Sequence, residues 1–250
     1  MIDLAQFDAV LFDLDGVLTA TASVHSACWK RMFDEYLEAR ASETGEPFEP
    51  FDIGSDYLPY VDGKPRYDGV DSFLRSRGIE LPWGEPDEPP SQETVCGLGN
   101  RKNELFNEVL EVQKPDIFHG SVELARRLRD AGIKTAVVSA SKNAVPVLES
   151  AEIADLFDLV VDGKVAARLG LAGKPAPDPF LEAARELDVL PERAIVVEDA
   201  ISGVQAGRAG NFGLVIGVDR EGVGPALLEH GADIVVTGLR ELAFKGLKGD

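Results

Sequence analysis

The chain has 250 residues, 44% of them hydrophobic, and a formal charge of −19, enough apolar material for a real core and near the upper limit for a single one. So acidic a balance argues against nucleic acid and anionic membrane as partners, since those surfaces are met by clustered Lys and Arg. The two cysteines, Cys28 and Cys96, show no CxxC and no zinc-like spacing, so neither a disulfide framework nor a structural metal is indicated, and a reducing cytoplasm is the expected location.

The amino terminus, MIDLAQFD, lacks a basic region followed by a long apolar one, and no run approaches membrane-spanning length, so a soluble protein is expected. FDAVLFDLDGVLT, residues 7 to 19, opens as an unbroken apolar run and ends in two aspartates and a glycine. The run without polar alternation predicts a parallel strand covered on both faces. It delivers Asp13 and Asp15 to the carboxyl end of the sheet, where α/β proteins build ligand sites, and Gly16 lets the chain turn there without a Cβ clash. Val24, Cys28, Met32, Phe33, Tyr36 and Leu37 then recur at helical spacing, predicting a helix from Ser23 to Ala39. From Ala41 to Tyr67 the pattern weakens under Pro47, Pro50, Pro59 and Pro65. A short helix over 68–78 stopping at Gly78, a Pro-rich acidic loop over 81–93, and a helix over 100–112 with Asn100 as its N-cap follow.

Beyond Pro115 the chain alternates SVELARRLRDAG, KTAVVS, NAVPVLESA, FDLVV, PFLEAARELDV, AIVVE, SGVQAGRAG, GLVIG and DIVV. Alternation of that kind predicts right-handed crossovers and a parallel sheet. About 120 residues separate the first strand from the second with no convincing strand between them, so a mostly helical insertion is the economical reading. Ser139 follows the strand KTAVV, Lys174 sits in GKPAPDPF, and Glu198 with Asp199 ends the strand AIVV. Together with Asp13 and Asp15 these make four polar punctuation points, three at strand ends.

In kind, order and approximate spacing these four segments resemble those of the haloacid dehalogenase superfamily, and within it the chain is most similar to the β-phosphoglucomutase group. The resemblance implies an α/β fold, a Rossmann-like core with a parallel sheet (residues 1–20 and 114–250) plus an inserted helical cap domain (21–113), with hinges near Thr21 and Gln113. It implies Asp13 as the nucleophile that forms an aspartyl phosphate and Asp15 as general acid and base. It also implies Mg²⁺ held by the Asp13 and Asp199 side chains and the Asp15 carbonyl. Glu198 acts through a water or, on the residues alone, caps the following helix. Ser139 and the Ala140 amide receive the transferring phosphate; as a bare residue type, a serine ending a strand is more often a plain cap. Lys174 bridges nucleophile and phosphate, where the plain alternative is a solvated lysine.

Substrate-binding residues implied in the same way are His25, Trp29, Arg66, Lys102 and Asn103 in the cap, with Ser141, Lys142 and Asn143 in the core. His25 lies ten residues after Asp15, the offset of a histidine that couples cap closure to the acid and the sugar. Ala20 departs from the usual Asp of that group, and the chain is longer around 43–59, 82–92 and 162–173. The expected activity is Mg²⁺-dependent interconversion of β-glucose 1-phosphate and glucose 6-phosphate by a monomer acting on a small phosphorylated metabolite. A phosphatase using the same residues with water, and a non-catalytic sugar-phosphate-binding module, are the alternatives.

Overall fold

The structure, a computed structural model, describes residues 1–112, 114–220 and 222–247. They form two compact units, Met1–Ala20 with Pro115–Asp250, and Thr21–Lys114. The hinge expected at Gln113 lies outside the described residues.

The first unit carries β1 (Ile2–Asp3), β2 (Ala9–Phe12), α5 (His119–Asp130), β3 (Lys134–Val138), α6 (Ala144–Ser150), β4 (Leu159–Val161), α7 (Gly163–Leu169) and α8 (Asp178–Glu186). It continues with β5 (Ala194–Glu198), α9 (Ile201–Ala209), β6 (Leu214–Val218), α10 (Gly224–His230), β7 (Ile234–Val236) and β8 (Phe244–Lys245). Six strands pair in the order β4-β3-β2-β5-β6-β7, and every pair in that sheet is parallel. All residues of β2 and β5 are buried, as their unbroken apolar runs require when helices cover both faces. On one face Leu11, Ala136, Val138 and Val196 pack with Phe180 and Ala183 of α8, Leu187 just after it, and Val204 of α9. The order of strands reverses between β2 and β5, so the loops after β2, β3 and β5 meet at one switch point. Phe12 pairs with both Val137 and Val197, so the residues that follow these three strands emerge level with one another.

The second unit carries α1 (Ala22–Thr44), a π-helical turn (Ile53–Tyr57), α2 (Leu58–Tyr60), α3 (Arg66–Ser76) and α4 (Val95–Val112). α1 runs past the expected Ala39 and stops at Gly45, which adopts φ +75°. α4 begins five residues before Asn100, which is interior to it and not a cap. The capping is done by Thr94, whose Oγ1 accepts a hydrogen bond from Gly97 N at 2.9 Å. The Pro-rich stretch also contributes to the core of this unit. Phe51 is fully buried, stacks on Phe33 at 5.2 Å and meets Phe73 edge-on. Its backbone is held by Asp34, which accepts from Phe51 N at 2.8 Å, and by Lys30, which donates to Phe51 O at 2.8 Å.

Candidate active site

At the carboxyl ends of β2, β3 and β5 one ammonium gathers three elements. Lys174 Nζ donates to Asp13 Oδ1 at 2.6 Å, to Glu198 Oε1 at 2.5 Å and to the Val138 carbonyl at 3.0 Å, above the Phe180 ring. Lys174 is 3% exposed and Glu198 1%, so the solvated-lysine alternative does not hold. Burial works to lower the Lys174 pKa, but the Asp13 and Glu198 carboxylates outweigh it and hold the lysine above its ordinary value. Burial, with the charges of Glu198 and Asp15 adding to it, pushes Asp13 well above the usual carboxylate range against the pull of Lys174. One ammonium shared between two buried carboxylates, with Asp15 and Asp199 half-buried, leaves the site short of positive charge. Ser139, buried where β3 ends, accepts from Ser141 N at 3.1 Å, and Ser141 Oγ accepts from Asn143 N at 3.1 Å. The turn Ala140–Asn143 separates Ser139 from α6, which starts at Ala144 and not directly after the strand.

The donor set fits a hard divalent cation. Asp13, Glu198 and Asp199 each present a carboxylate oxygen, all within 4.8 Å of one another, and an all-oxygen set is what Mg²⁺ takes alongside its waters. Two glycines make the room. Gly16 has φ +84°, and a Cβ there would fall 1.6 Å from Asp199 Oδ2; a Cβ at Gly203 would fall 1.9 Å from the Glu198 carboxyl carbon. Glu198 does not cap α9: its Oε2 accepts from the Asp199 and Ala200 amides at 3.0 and 3.1 Å, ahead of the helix and not from its first-turn amides, while its Oε1 faces Lys174.

In the helical unit a second cluster forms. Lys102 Nζ lies 2.5 Å from His25 Nδ1, with the Trp29 and Phe106 rings 5.2 and 5.1 Å from the ammonium. His25 itself stacks on Phe106 at 4.0 Å. Asn103 follows on the same helix, half-buried. The guanidinium of Arg66 has buried Nε and Nη1 atoms without a hydrogen-bond partner and lies 5.3 Å from the Tyr67 ring. Burial lowers its pKa from the usual arginine value, so the charge sits where an anionic group would stabilise it.

A sequence model of haloacid dehalogenase-like hydrolases matches residues 7–211. A β-phosphoglucomutase of Mycobacterium bovis is 52% identical over 237 residues, 94% of this chain and 90% of that protein. One of Bacillus subtilis is 33% identical over 95% of this chain and 92% of its own length. The solved β-phosphoglucomutase of Clostridium difficile superposes with a TM-score of 0.73 at 28% identity, covering 95% of this chain and 93% of that one. The chain belongs to the haloacid dehalogenase-like hydrolase family. Within that family it falls in the β-phosphoglucomutase-like group, and it is an enzyme of the phosphomutase and phosphatase kind.

Several residues of this haloacid dehalogenase-like site were not visible in the sequence. The Val138 carbonyl, the Phe180 ring, Gly203 and Phe106 enter only through strand pairing or helix packing. Gly203 carried the one usable signal, a small residue in the first turn of a helix directly after an acidic strand end. Among the described residues no helix is long and apolar enough to cross a membrane.

Proposed function

We propose that the protein is a Mg²⁺-dependent phosphomutase that moves a phosphoryl group through an aspartyl phosphate on Asp13, interconverting β-glucose 1-phosphate and glucose 6-phosphate. The observation that carries the reading is the Lys174 fork between Asp13 and Glu198, with Asp199 beside them, at the switch point of the sheet. The 52% identity to a β-phosphoglucomutase over nearly the whole chain supports the choice of sugar phosphate.

Asp13 Oδ attacks phosphorus and the sugar oxygen leaves, splitting one difficult displacement into two easier ones. Asp15 protonates the leaving oxygen and in the return step takes the proton from the attacking hydroxyl. Ser139 Oγ and the Ala140 amide receive phosphoryl oxygens, and Lys174 keeps Asp13 aimed while offsetting its charge. Asp13, Glu198, Asp199 and the Asp15 carbonyl would hold Mg²⁺, which would supply electrostatic stabilisation of the charge on the transferring phosphoryl group. His25, Trp29, Lys102 and Asn103 supply sugar contacts; Arg66, and in the α/β unit Ser141, Lys142 and Asn143, supply receptors for a phosphate that is not being transferred.

A ³¹P NMR time course with β-glucose 1-phosphate, Mg²⁺ and a trace of glucose 1,6-bisphosphate tests this. Glucose 6-phosphate is expected to grow without inorganic phosphate. Inorganic phosphate as the main product would replace the mutase with a phosphatase, and no reaction would discard glucose phosphate as the substrate.

A further inference from the structure

The loop after β6 sends one side chain back to the nucleophile turn, and nothing in the chemistry above uses it. Arg220 Nε donates to the Gly16 carbonyl at 2.7 Å, its Nη1 donates to the Thr237 carbonyl at 2.8 Å, and its guanidinium lies 3.7 Å over the Phe118 ring. Phe118 is itself tied to the same turn, its N–H donating to the Leu18 carbonyl at 2.9 Å. One planar fork thus joins the ends of β2 and β7 and the segment entering α5. The geometry suits guanidinium, which donates in plane to two acceptors and stacks with its face, whereas an ammonium is a compact point charge.

Gly16 is the residue this fork holds, and it is also the floor under a carboxylate. It sits at φ +84°, its N–H donates to the Thr19 carbonyl at 2.8 Å, and the Asp199 carboxylate occupies the space a Cβ would fill. Glycine explores both signs of φ, so its hydrogen bonds and packing, not its own backbone preference, must hold the turn in that conformation. The charge of Asp199 reaches Arg220 as well, acting against the burial that lowers the arginine's pKa.

We propose that Arg220 is a positioning residue for the cation site: by fixing the Gly16 carbonyl it keeps the turn after Asp13 and Asp15 seated on Asp199, and so sets the spacing of the carboxylates. This rests on the reading of Asp13, Glu198 and Asp199 as the Mg²⁺ ligands. Two effects of removing Arg220 have opposite signs. Loss of a positive charge near a ligand set tightens cation binding by Coulomb's law alone, while loss of an orienting group behind the ligands weakens it.

Calorimetric titration of Mg²⁺ into the substrate-free full chain, with metal-free melting temperatures alongside, separates them. Arg220→Met is expected to weaken Mg²⁺ binding by about tenfold, the usual scale for a group behind the ligands. Arg220→Lys, which keeps the charge but not the fork, is expected to weaken it as much. Unchanged affinity with a lower melting temperature would make Arg220 only a clamp between loops, tighter binding would make it only a charge, and full affinity in Arg220→Lys would remove the need for the fork; each overturns the proposal. If Arg220→Met does not fold, Arg220→Lys decides alone by the same measure. Asp199→Ala in the same titration is expected to abolish binding; if it binds Mg²⁺ like the parent, the cation-site reading fails, and the proposal with it.

Discussion

Lys174 has two buried carboxylates within 2.6 Å and is itself almost wholly enclosed. Replacing it by Met leaves Asp13 and Glu198 without a counterion, and breaking a buried pair from one side costs about 3–5 kcal/mol. Lys174→Met is therefore expected to lower the metal-free melting temperature by roughly 10 °C for a chain of this size, with saturating Mg²⁺ recovering part of the loss; calorimetry in EDTA and in Mg²⁺ reads both. Asp13 behaves in the opposite sense. Its folded pKa is raised above that of the unfolded chain, chiefly by burial, so the fold favours the protonated form and loses stability as pH climbs above the ordinary carboxylate range. Asp13→Asn should abolish turnover yet stabilise the metal-free protein at pH 7 by about 1 kcal/mol, roughly 3 °C. It should also flatten the fall of the melting temperature as pH rises above the ordinary carboxylate range. A melting temperature below the parent's would show that Lys174 outweighs the burial of that charge. Asp13, Asp15, Glu198 and Asp199 stand out in the sequence because charges follow directly on apolar strands, and Lys174 because it sits in the Pro-rich turn GKPAPDPF. The Val138 carbonyl and Arg220 do not, because β3, β6 and β2 are far apart in the chain and meet only in the sheet.

The elements divide by how much of them is buried. The strands of the six-stranded sheet could be read directly, since β2 and β5 are apolar at almost every position and sheet burial on two faces leaves no other pattern. α1 outruns its apolar pattern because its last turns, from Glu38 to Thr44, present no fully buried residue and so no periodicity; only Gly45 marks the end. β1 and β8 pair over two residues each, too few to carry a period. The start of α4 is hidden in the sequence because Gly97 and Gly99 look like breakers. Both are instead contact points. A Cβ on Gly97 would fall 2.2 Å from the Gln92 carbonyl oxygen, and one on Gly99 would fall 2.6 Å from the Tyr67 ring. Glycine to alanine within a helix normally stabilises by about 1 kcal/mol. Here Gly97→Ala is expected to destabilise by about 2 kcal/mol, as overpacking against backbone does, measured as a lower midpoint in urea at unchanged slope. A higher midpoint would mean that the Gln92 loop yields freely.

Across the whole molecule a charge of −19 makes an anionic substrate unwelcome everywhere except where a cation is placed. In the α/β unit the buried lysine is already committed to two carboxylates. The helical unit holds Lys102 among aromatic rings and Arg66 with two buried nitrogens lacking partners. In the proposed reaction the phosphoryl chemistry belongs to the α/β unit and Arg66 to the helical one, and the two contributions can be separated by choosing a donor with no sugar. Acetyl phosphate needs only Asp13 and its neighbours to phosphorylate the enzyme. A sugar phosphate also calls on the arginine, whose charge-assisted hydrogen bonds are worth about 2–3 kcal/mol. Arg66→Ala is accordingly expected to cut kcat/KM for β-glucose 1-phosphate by roughly 30- to 150-fold, mostly through KM, while labelling of Asp13 by acetyl phosphate proceeds at the parent rate. Rapid acid quench followed by intact mass measures the second quantity and coupled assay of glucose 6-phosphate the first. Equal losses in both would place Arg66 in support of the fold and remove it from substrate recognition, because a residue that only selects the sugar phosphate has no means of slowing a donor that lacks one.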